Sequence, residues 1–262
     1  MRKRLGFIIF MLAMTMSVYA ETFHEKFDRT VDLAPGSRLS IANVNGGVVV
    51  RTWNRPQVRI EADKSISGAF DADGVKKRLE AIVIEVKSSQ NGLAVRTVAP
   101  EAGNSLIQWI AGSGTEYNVK YVLTIPERMD LNLQTVNGGM DVDGVSGMLQ
   151  IETTNGGITV RNAAGMVNAE TTNGSIRVQL PRPSADSSMS FETTNGAVSV
   201  ELPASYRGNI KLRTTNGSIR SDLPVATSRA GKNYMDGSIN GGGPTLKIQT
   251  TNGSIAIVRS GS

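Results

Sequence analysis

The chain lacks cysteine, has a single histidine, and carries only 5% aromatic residues. After its first twenty positions it has no uninterrupted apolar run long enough to cross a bilayer core of about 30 Å. Without cysteine there is no disulfide framework, thiolate nucleophile, Cys-ligated metal or thioether-linked lipid. The one histidine, His24, stands alone near the amino end. Cys-His catalysis is therefore excluded, a Ser-His-Asp apparatus is disfavoured, and a histidine-based zinc site lacks ligands. His24 reads as a surface residue. The scarcity of aromatics also argues against a sugar-cleaving groove, which leans on them as stacking platforms.

Positive charge is less abundant than the formal +5 suggests. Arg2, Lys3 and Arg4 precede an apolar run from Leu5 to Val18, and Val18-Tyr19-Ala20 follows. That order is a secretory signal, with cleavage expected after Ala20. Beyond it, 25 Lys and Arg face 23 Asp and Glu, interspersed rather than clustered. Nucleic acid, which needs a concentrated basic surface, is not an expected partner. The remaining chain is expected in the periplasm or at the cell surface, with no integral membrane segment.

What the chain has in abundance is repetition. Thr-Thr-Asn-Gly occurs five times, beginning at Thr153, Thr171, Thr193, Thr214 and Thr250. The unit is longer than the tetrapeptide: Leu149 to Val160 recurs as Val167 to Val178, Met189 to Val200 and Ile210 to Ile219, with looser copies at Leu131 to Val142 and Leu39 to Val50. Aligned asparagines are Asn45, Asn137, Asn155, Asn173, Asn195, Asn216 and Asn252, and the gap before Asn252 holds a degenerate copy at Asp236-Gly237-Ser238-Ile239. Strict copies of one unit point to stacked structural repeats rather than a catalytic domain.

Within a unit the apolar and β-branched residues alternate, Ile151 and Thr153 on one side, Glu152 and Thr154 on the other, then Ile158 and Val160 inward. This is strand, with Asn-Gly as the corner. Asn-Gly also marks hairpins, so an antiparallel β meander or sandwich is the alternative. Parallel stacking, at about 4.8 Å per copy, gives a reason to repeat the threonines as well, because identical side chains then form ladders. The reading is all-β: a parallel β-helix-like solenoid with coils of about 18 to 22 residues, in which the aligned asparagines form a ladder that is buried or lines the corner.

The period breaks between Trp53 and Pro126. That region contains strand-like runs, a helix from Gly74 to Ala81 with Asp73 as its cap, a hairpin turning at Asn91-Gly92, and a loop from Ala99 to Gly114 around Trp109. The expected organisation is a signal over 1–20, a β-rich first coil and cap over 21–126, and repeats over 127–262. The final copy, Leu246 to Val258, is followed by no obvious cap, so its open edge is a candidate for pairing with another copy or partner.

Candidate chemistry is sparse. Asp71-Ala-Asp-Gly74 with Glu80 mimics part of a calcium loop, but Ala69 stands at its first ligand position. Asp141 and Asp143 alternate onto one face, as an acid and base pair would, yet sit in a glycine-rich turn without surrounding arginine and aromatics. Glu152, Glu170 and Glu192 share one outward slot on successive copies, with Arg213 next, which makes a polar stripe for surface recognition. No catalytic residue, cofactor or metal is assigned.

The order Asn-Gly-Gly-Val-Val-Val50, Tyr121-Val-Leu-Thr-Ile-Pro126, Asp130 to Gly139, Gly144-Val-Ser-Gly147 and the serial Thr-Thr-Asn-Gly-Ser-Ile resembles the bacterial putative adhesin family. The resemblance covers nearly all of the chain after the signal. It implies an exported β-solenoid similar to autotransporter adhesin heads, and it brings no catalytic residues. The function expected is a non-catalytic, adhesin-like binding or scaffold module of the envelope or surface. Its partner would be an envelope glycan or protein, bound by polar side chains such as Thr154, Thr159, Arg177, Ser199 and Arg220. The alternative is a β-helix polysaccharide lyase or hydrolase.

Overall fold

The computed structural model describes residues 21–68, 72–89, 92–99 and 116–261. The expected signal and most of the expected loop around Trp109 lie outside the described residues. Two large sheets enclose one hydrophobic core, and the alternation read in the sequence explains how. Ile151 and Phe191 from one sheet and Ile158, Val160 and Val200 from the other point inward and are essentially fully buried. The residues between them face out.

The first sheet runs, edge to edge, through Glu21–Asp32, Gln57–Gly68, Glu116–Pro126, Val48–Trp53, Met140–Asp143, Ile158–Arg161, Ile176–Gln179, Val198–Leu202, Ile255–Arg259 and Ile219–Ser221. The second runs through Ala226–Ala230, Tyr234–Ile239, Gly208–Asn216, Thr245–Asn252, Met189–Asn195, Ala164–Asn173, Ser146–Asn155, Asp130–Gln134, Arg38–Ala42, Gly92–Val98 and Val83–Ser89, with Arg182–Pro183 beside Ala164–Asn173. Each repeat contributes one strand to each sheet, joined at Asn-Gly, and the copies pair in parallel with identical residues aligned, as in Thr153 with Thr171 and Ile158 with Ile176. Antiparallel pairing is confined to the two ends: Gln57–Gly68 with both Glu21–Asp32 and Glu116–Pro126, and the hairpin of Val83–Ser89 and Gly92–Val98, at one, Tyr234–Ile239 with its neighbours at the other.

Several expectations need correction. The last copy is not terminal in space. Thr245–Asn252 pairs with Met189–Asn195 on one side and with Gly208–Asn216 on the other, so the copies stack as 195, 252, 216 rather than in chain order. The Leu246 to Val258 edge is therefore not open. Asp236 to Ile239 is not a degenerate coil either; it belongs to an antiparallel strand laid along Gly208–Asn216. The physical reason is common to both: the 36-residue spacing from Asn216 to Asn252 leaves enough chain for a hairpin that covers the end of the second sheet. The returning chain then inserts where both its edges find partners.

In the N-terminal region the helix spans Ala72–Ala81, which places Asp73 in its first turn instead of at the cap. Its other end is held by the buried Lys64, whose Nζ donates to the carbonyls of Leu79 and Ile82 at 3.0 and 3.2 Å and lies 2.6 Å from Glu25 Oε1. A cation at the carbonyl end of a helix satisfies groups that the helix itself cannot. The hairpin pairs Ser89 with Gly92, one residue earlier than the Asn91-Gly92 turn expected. Gly92 opens the strand, and the position requires glycine because a Cβ there would lie 2.3 Å from the Arg38 carbonyl oxygen of the adjacent strand.

Candidate functional site

The Asn-Gly corner carries three parallel rows. The aligned asparagines form one chain of side-chain hydrogen bonds, each Nδ2 donating to the next Oδ1 at 2.8 Å: Asn137 to Asn45, Asn155 to Asn137, Asn173 to Asn155, Asn195 to Asn173, Asn252 to Asn195 and Asn216 to Asn252. All seven take part, but the row lines the corner on its solvent side and is not buried. Each interior amide spends one N–H and one lone pair on the ladder and keeps the rest for solvent.

The buried row is the first threonine of each motif. Thr153, Thr171, Thr193, Thr250 and Thr214 are at most 7% exposed, and their hydroxyls donate to the glycine carbonyls of the adjoining copy, those of Gly138, Gly156, Gly174, Gly196 and Gly253, at 2.8 to 3.0 Å. In the first copy Asn43 occupies this slot and serves the same end, donating to the carbonyls of Gly46 and Val119. Its Oδ1 accepts from Thr97, which also bonds the Tyr121 hydroxyl at 2.7 Å. Burial pushes the Tyr121 phenol up to about 12, so it keeps its proton for this cluster.

The third row is glycine. A Cβ on Gly156, Gly174 or Gly196 would sit 2.0 to 2.1 Å from the glycine carbonyl oxygen of the adjoining copy, and on Gly217 or Gly253 at 1.9 Å. The corners touch backbone to backbone.

On the outer face of the second sheet, Glu152, Glu170 and Glu192 align directly, as the repeat predicts. Gln134 precedes them, and Gln249 stands between Glu192 and Arg213. Glu152 accepts from Gln134 at 3.2 Å and from Gln150 at 2.9 Å. The Lys247 ammonium, 2.8 Å from Glu192 Oε1, holds that carboxyl below the usual carboxylate range; partial burial opposes this and the Ser190 hydroxyl adds to it. Arg213 does not join the acidic row. It makes two 2.6 Å bonds to the Asp236 carboxylate and stacks over the Tyr234 ring, which fastens the terminal hairpin. Sequence order conceals this, because Arg213 follows Glu192 in the chain while in space a whole copy lies between them.

The outer face of the first sheet carries Thr159, Arg177, Ser199, Ala256 and Arg220 in one row. Beside it, Asp141 and Asp143 do share a face, but both are engaged by Arg161, 2.5 Å from Asp141 and 3.9 Å from Asp143. A shallow groove there is closed by Val49, Arg51 and Thr52. The pair is a structural ion-pair cluster joining adjacent copies. His24 sits in a regular strand, 3.0 Å from Asp63, and Asp73 and Gly74 lie in the helix rather than in a metal-binding loop. Among the described residues no group of three potential metal ligands occurs.

A family model described as Toastrack DUF4097 matches residues 39–258. Among curated proteins none is found to match. Among solved structures, the chain is similar to one described as a putative cell adhesion protein from Clostridium sporogenes ATCC 15579, with a TM-score of 0.50 and 14% identity over 90% of this chain and 100% of that one. It is also similar to a putative adhesin from Bacteroides fragilis NCTC 9343, with a TM-score of 0.34 and 10% identity over 90% and 97% of the two chains. The first of these shows a shared fold.

Proposed function

Because the chain belongs to the Toastrack DUF4097 family, we propose that it is an exported, adhesin-like module of the cell envelope or surface, which binds or scaffolds through its repeated polar faces and performs no chemistry. The observation that carries this reading is the seven-membered asparagine ladder, with the exposed threonines Thr154, Thr172, Thr194, Thr215 and Thr251 beside it. Such a surface repeats one pattern of donors and acceptors about every 4.8 Å, which suits an extended, repeating ligand better than a single small molecule. An envelope glycan or a fibrous protein has that character. The corner residues are fixed by the ladder before any ligand arrives, which keeps the ordering cost of binding low.

Export rests on the order of basic start, apolar run and small residues over positions 1–20. No helix among the described residues is long and apolar enough to cross a membrane. The name of the Clostridium sporogenes relative is in keeping with adhesion. The acidic row of Glu152, Glu170 and Glu192 would disfavour anionic ligands.

Screening the purified protein against envelope glycans and immobilised extracellular-matrix proteins tests the reading. Saturable binding with the glycan recovered at its original length supports it, and shortened glycan favours the polysaccharide-degrading alternative.

A further inference from the structure

The two sheets end in four edges, and they are not alike. Ile219–Ser221 is three residues long, and Ala226–Ala230 is five with an irregular register at Thr227 and Arg229. Val83–Ser89 has seven. Short and bulged edges resist pairing with another chain. Glu21–Asp32 is different: twelve residues pair without a break to Gln57–Gly68, and among the described residues nothing pairs with its other side.

The side chains along this strand are self-complementary. Phe23, Glu25, Phe27 and Val31 lie toward the core side, and Thr22, His24, Lys26, Asp28, Thr30 and Asp32 lie outward. Two antiparallel copies related by a two-fold axis through Phe27 set Lys26 opposite Asp28, Glu25 opposite Arg29 and Phe23 opposite Val31, each pair twice, with Phe27 against itself. Thr22 meets Asp32 and His24 meets Thr30. Shifting the axis by one residue in either direction destroys this. Centred on Lys26, the register sets Lys26 against Lys26 and Phe23 against Arg29; centred on Asp28, it sets Asp28 against Asp28 and Phe27 against Arg29. Opposite charges across antiparallel strands stabilise and like charges destabilise.

Within one copy the acids Glu25 and Asp28 of this strand are engaged by neighbouring cations, and its own basic residues are left over. Asp28 is bonded to Arg59 and Glu25 to Lys64, both on neighbouring parts of the same chain. Lys26 and Arg29 make no ion pair among the described residues. We propose that the outer edge of Glu21–Asp32 is an interface for a second copy of this chain, joined in the antiparallel register centred on Phe27, so that the first sheet continues from one copy into the other. This extends the edge-pairing idea to the opposite end of the molecule from the last repeats, and it does not depend on the ligand-binding role proposed above.

The absence of cysteine makes the register directly testable. In the proposed dimer the two Phe27 positions are directly opposed, about 4.5 to 5.5 Å apart at Cα, within reach of a disulfide. The two Thr30 positions are about 20 Å apart. Under mild oxidation Phe27→Cys should form a covalent dimer and Thr30→Cys should not. In sedimentation equilibrium the unmodified protein should dimerise, Lys26→Asp should raise the dissociation constant by roughly tenfold, and an equimolar mixture of Lys26→Asp with Asp28→Lys should restore pairing. If Phe27→Cys fails to fold, the sedimentation series decides alone. A protein that is monomeric at every concentration overturns the proposal. So does cross-linking of Thr30→Cys as readily as Phe27→Cys.

Discussion

Gly156 and Gly157 are adjacent, yet replacing each by alanine should have very unequal consequences. A Cβ on Gly156 would lie 2.1 Å from the Gly138 carbonyl oxygen, 2.4 Å from its carbon and 2.8 Å from the Gly139 nitrogen. None of these is the end of a flexible side chain, so the two corners must part by more than 1 Å. Three hydrogen bonds cross that contact: Gly138 N to Asn155 O at 3.0 Å, Thr153 Oγ1 to Gly138 O at 3.0 Å and Asn155 Nδ2 to Asn137 Oδ1 at 2.8 Å. At about 1 kcal/mol each they amount to about 3 kcal/mol. Residual overpacking adds about 1 kcal/mol or more. Gly156→Ala should therefore cost about 4 kcal/mol in urea or thermal unfolding. A Cβ on Gly157 meets only the Ser175 carbonyl oxygen at 3.3 Å, and the corresponding positions in other copies are Ser175, Ala197, Ser218 and Ser254. Gly157→Ala should stay within about 1 kcal/mol of the parent. Equal losses for the two variants would refute the claim that close backbone approach between copies is what demands the first glycine.

Thr171→Val should destabilise by about 1 to 2 kcal/mol, because it leaves the Gly156 carbonyl without its hydroxyl donor in a buried row, whereas Thr172→Val on the exposed side should be nearly neutral in the same unfolding assay. Asn173→Ala interrupts the ladder in solvent, where water replaces the lost partners, and should cost about 1 kcal/mol by chemical denaturation. The Arg213 guanidinium bonded to Asp236 holds that carboxyl below its ordinary range. Its contribution is therefore full above the pKa of the unfolded aspartate, declines below it, and is gone once pH has fallen through the depressed folded value; Asp236→Asn should flatten that acid limb of the stability–pH curve. Deleting Leu246 to Ser262 should strip hydrogen-exchange protection from Gly208–Asn216 and Tyr234–Ile239 while leaving Ser146–Asn155 protected, since the removed copy lies between the end and the rest.

The strands and corners were legible because the side-chain period is two and the repeats are nearly identical, so Ile151, Ile158 and the aligned asparagines mark the same places in every copy. The roles within the corner were only half legible. Asn-Gly points to an asparagine ladder that is buried or lines the corner; the amide is long enough to run along the outside, while the shorter threonine hydroxyl reaches the inner carbonyls. A signal for the glycine row was present: the first glycine recurs in every copy while the next position varies among Gly157, Ser175, Ala197, Ser218 and Ser254. Chain order misled where topology departs from it. Nothing in the residues of Leu246 to Val258 says that this copy inserts behind its predecessor, because its ladder-forming side chains fit any slot in the stack. Lys64 and the Asn43, Thr97 and Tyr121 cluster were invisible because each joins positions far apart in sequence and occurs only once.

The most direct test of the functional account is a binding titration on purified envelope glycans and matrix proteins, comparing the parent with a variant carrying Glu152→Lys, Glu170→Lys and Thr172→Arg and with a control carrying Lys76→Ala on the helix outside the repeats, followed by chromatography of the recovered glycan. The account predicts saturable binding to at least one of these surfaces, weakened by the triple variant and little changed by the control, with every glycan recovered intact. Shortened glycan, or binding that the triple variant leaves untouched, would contradict it.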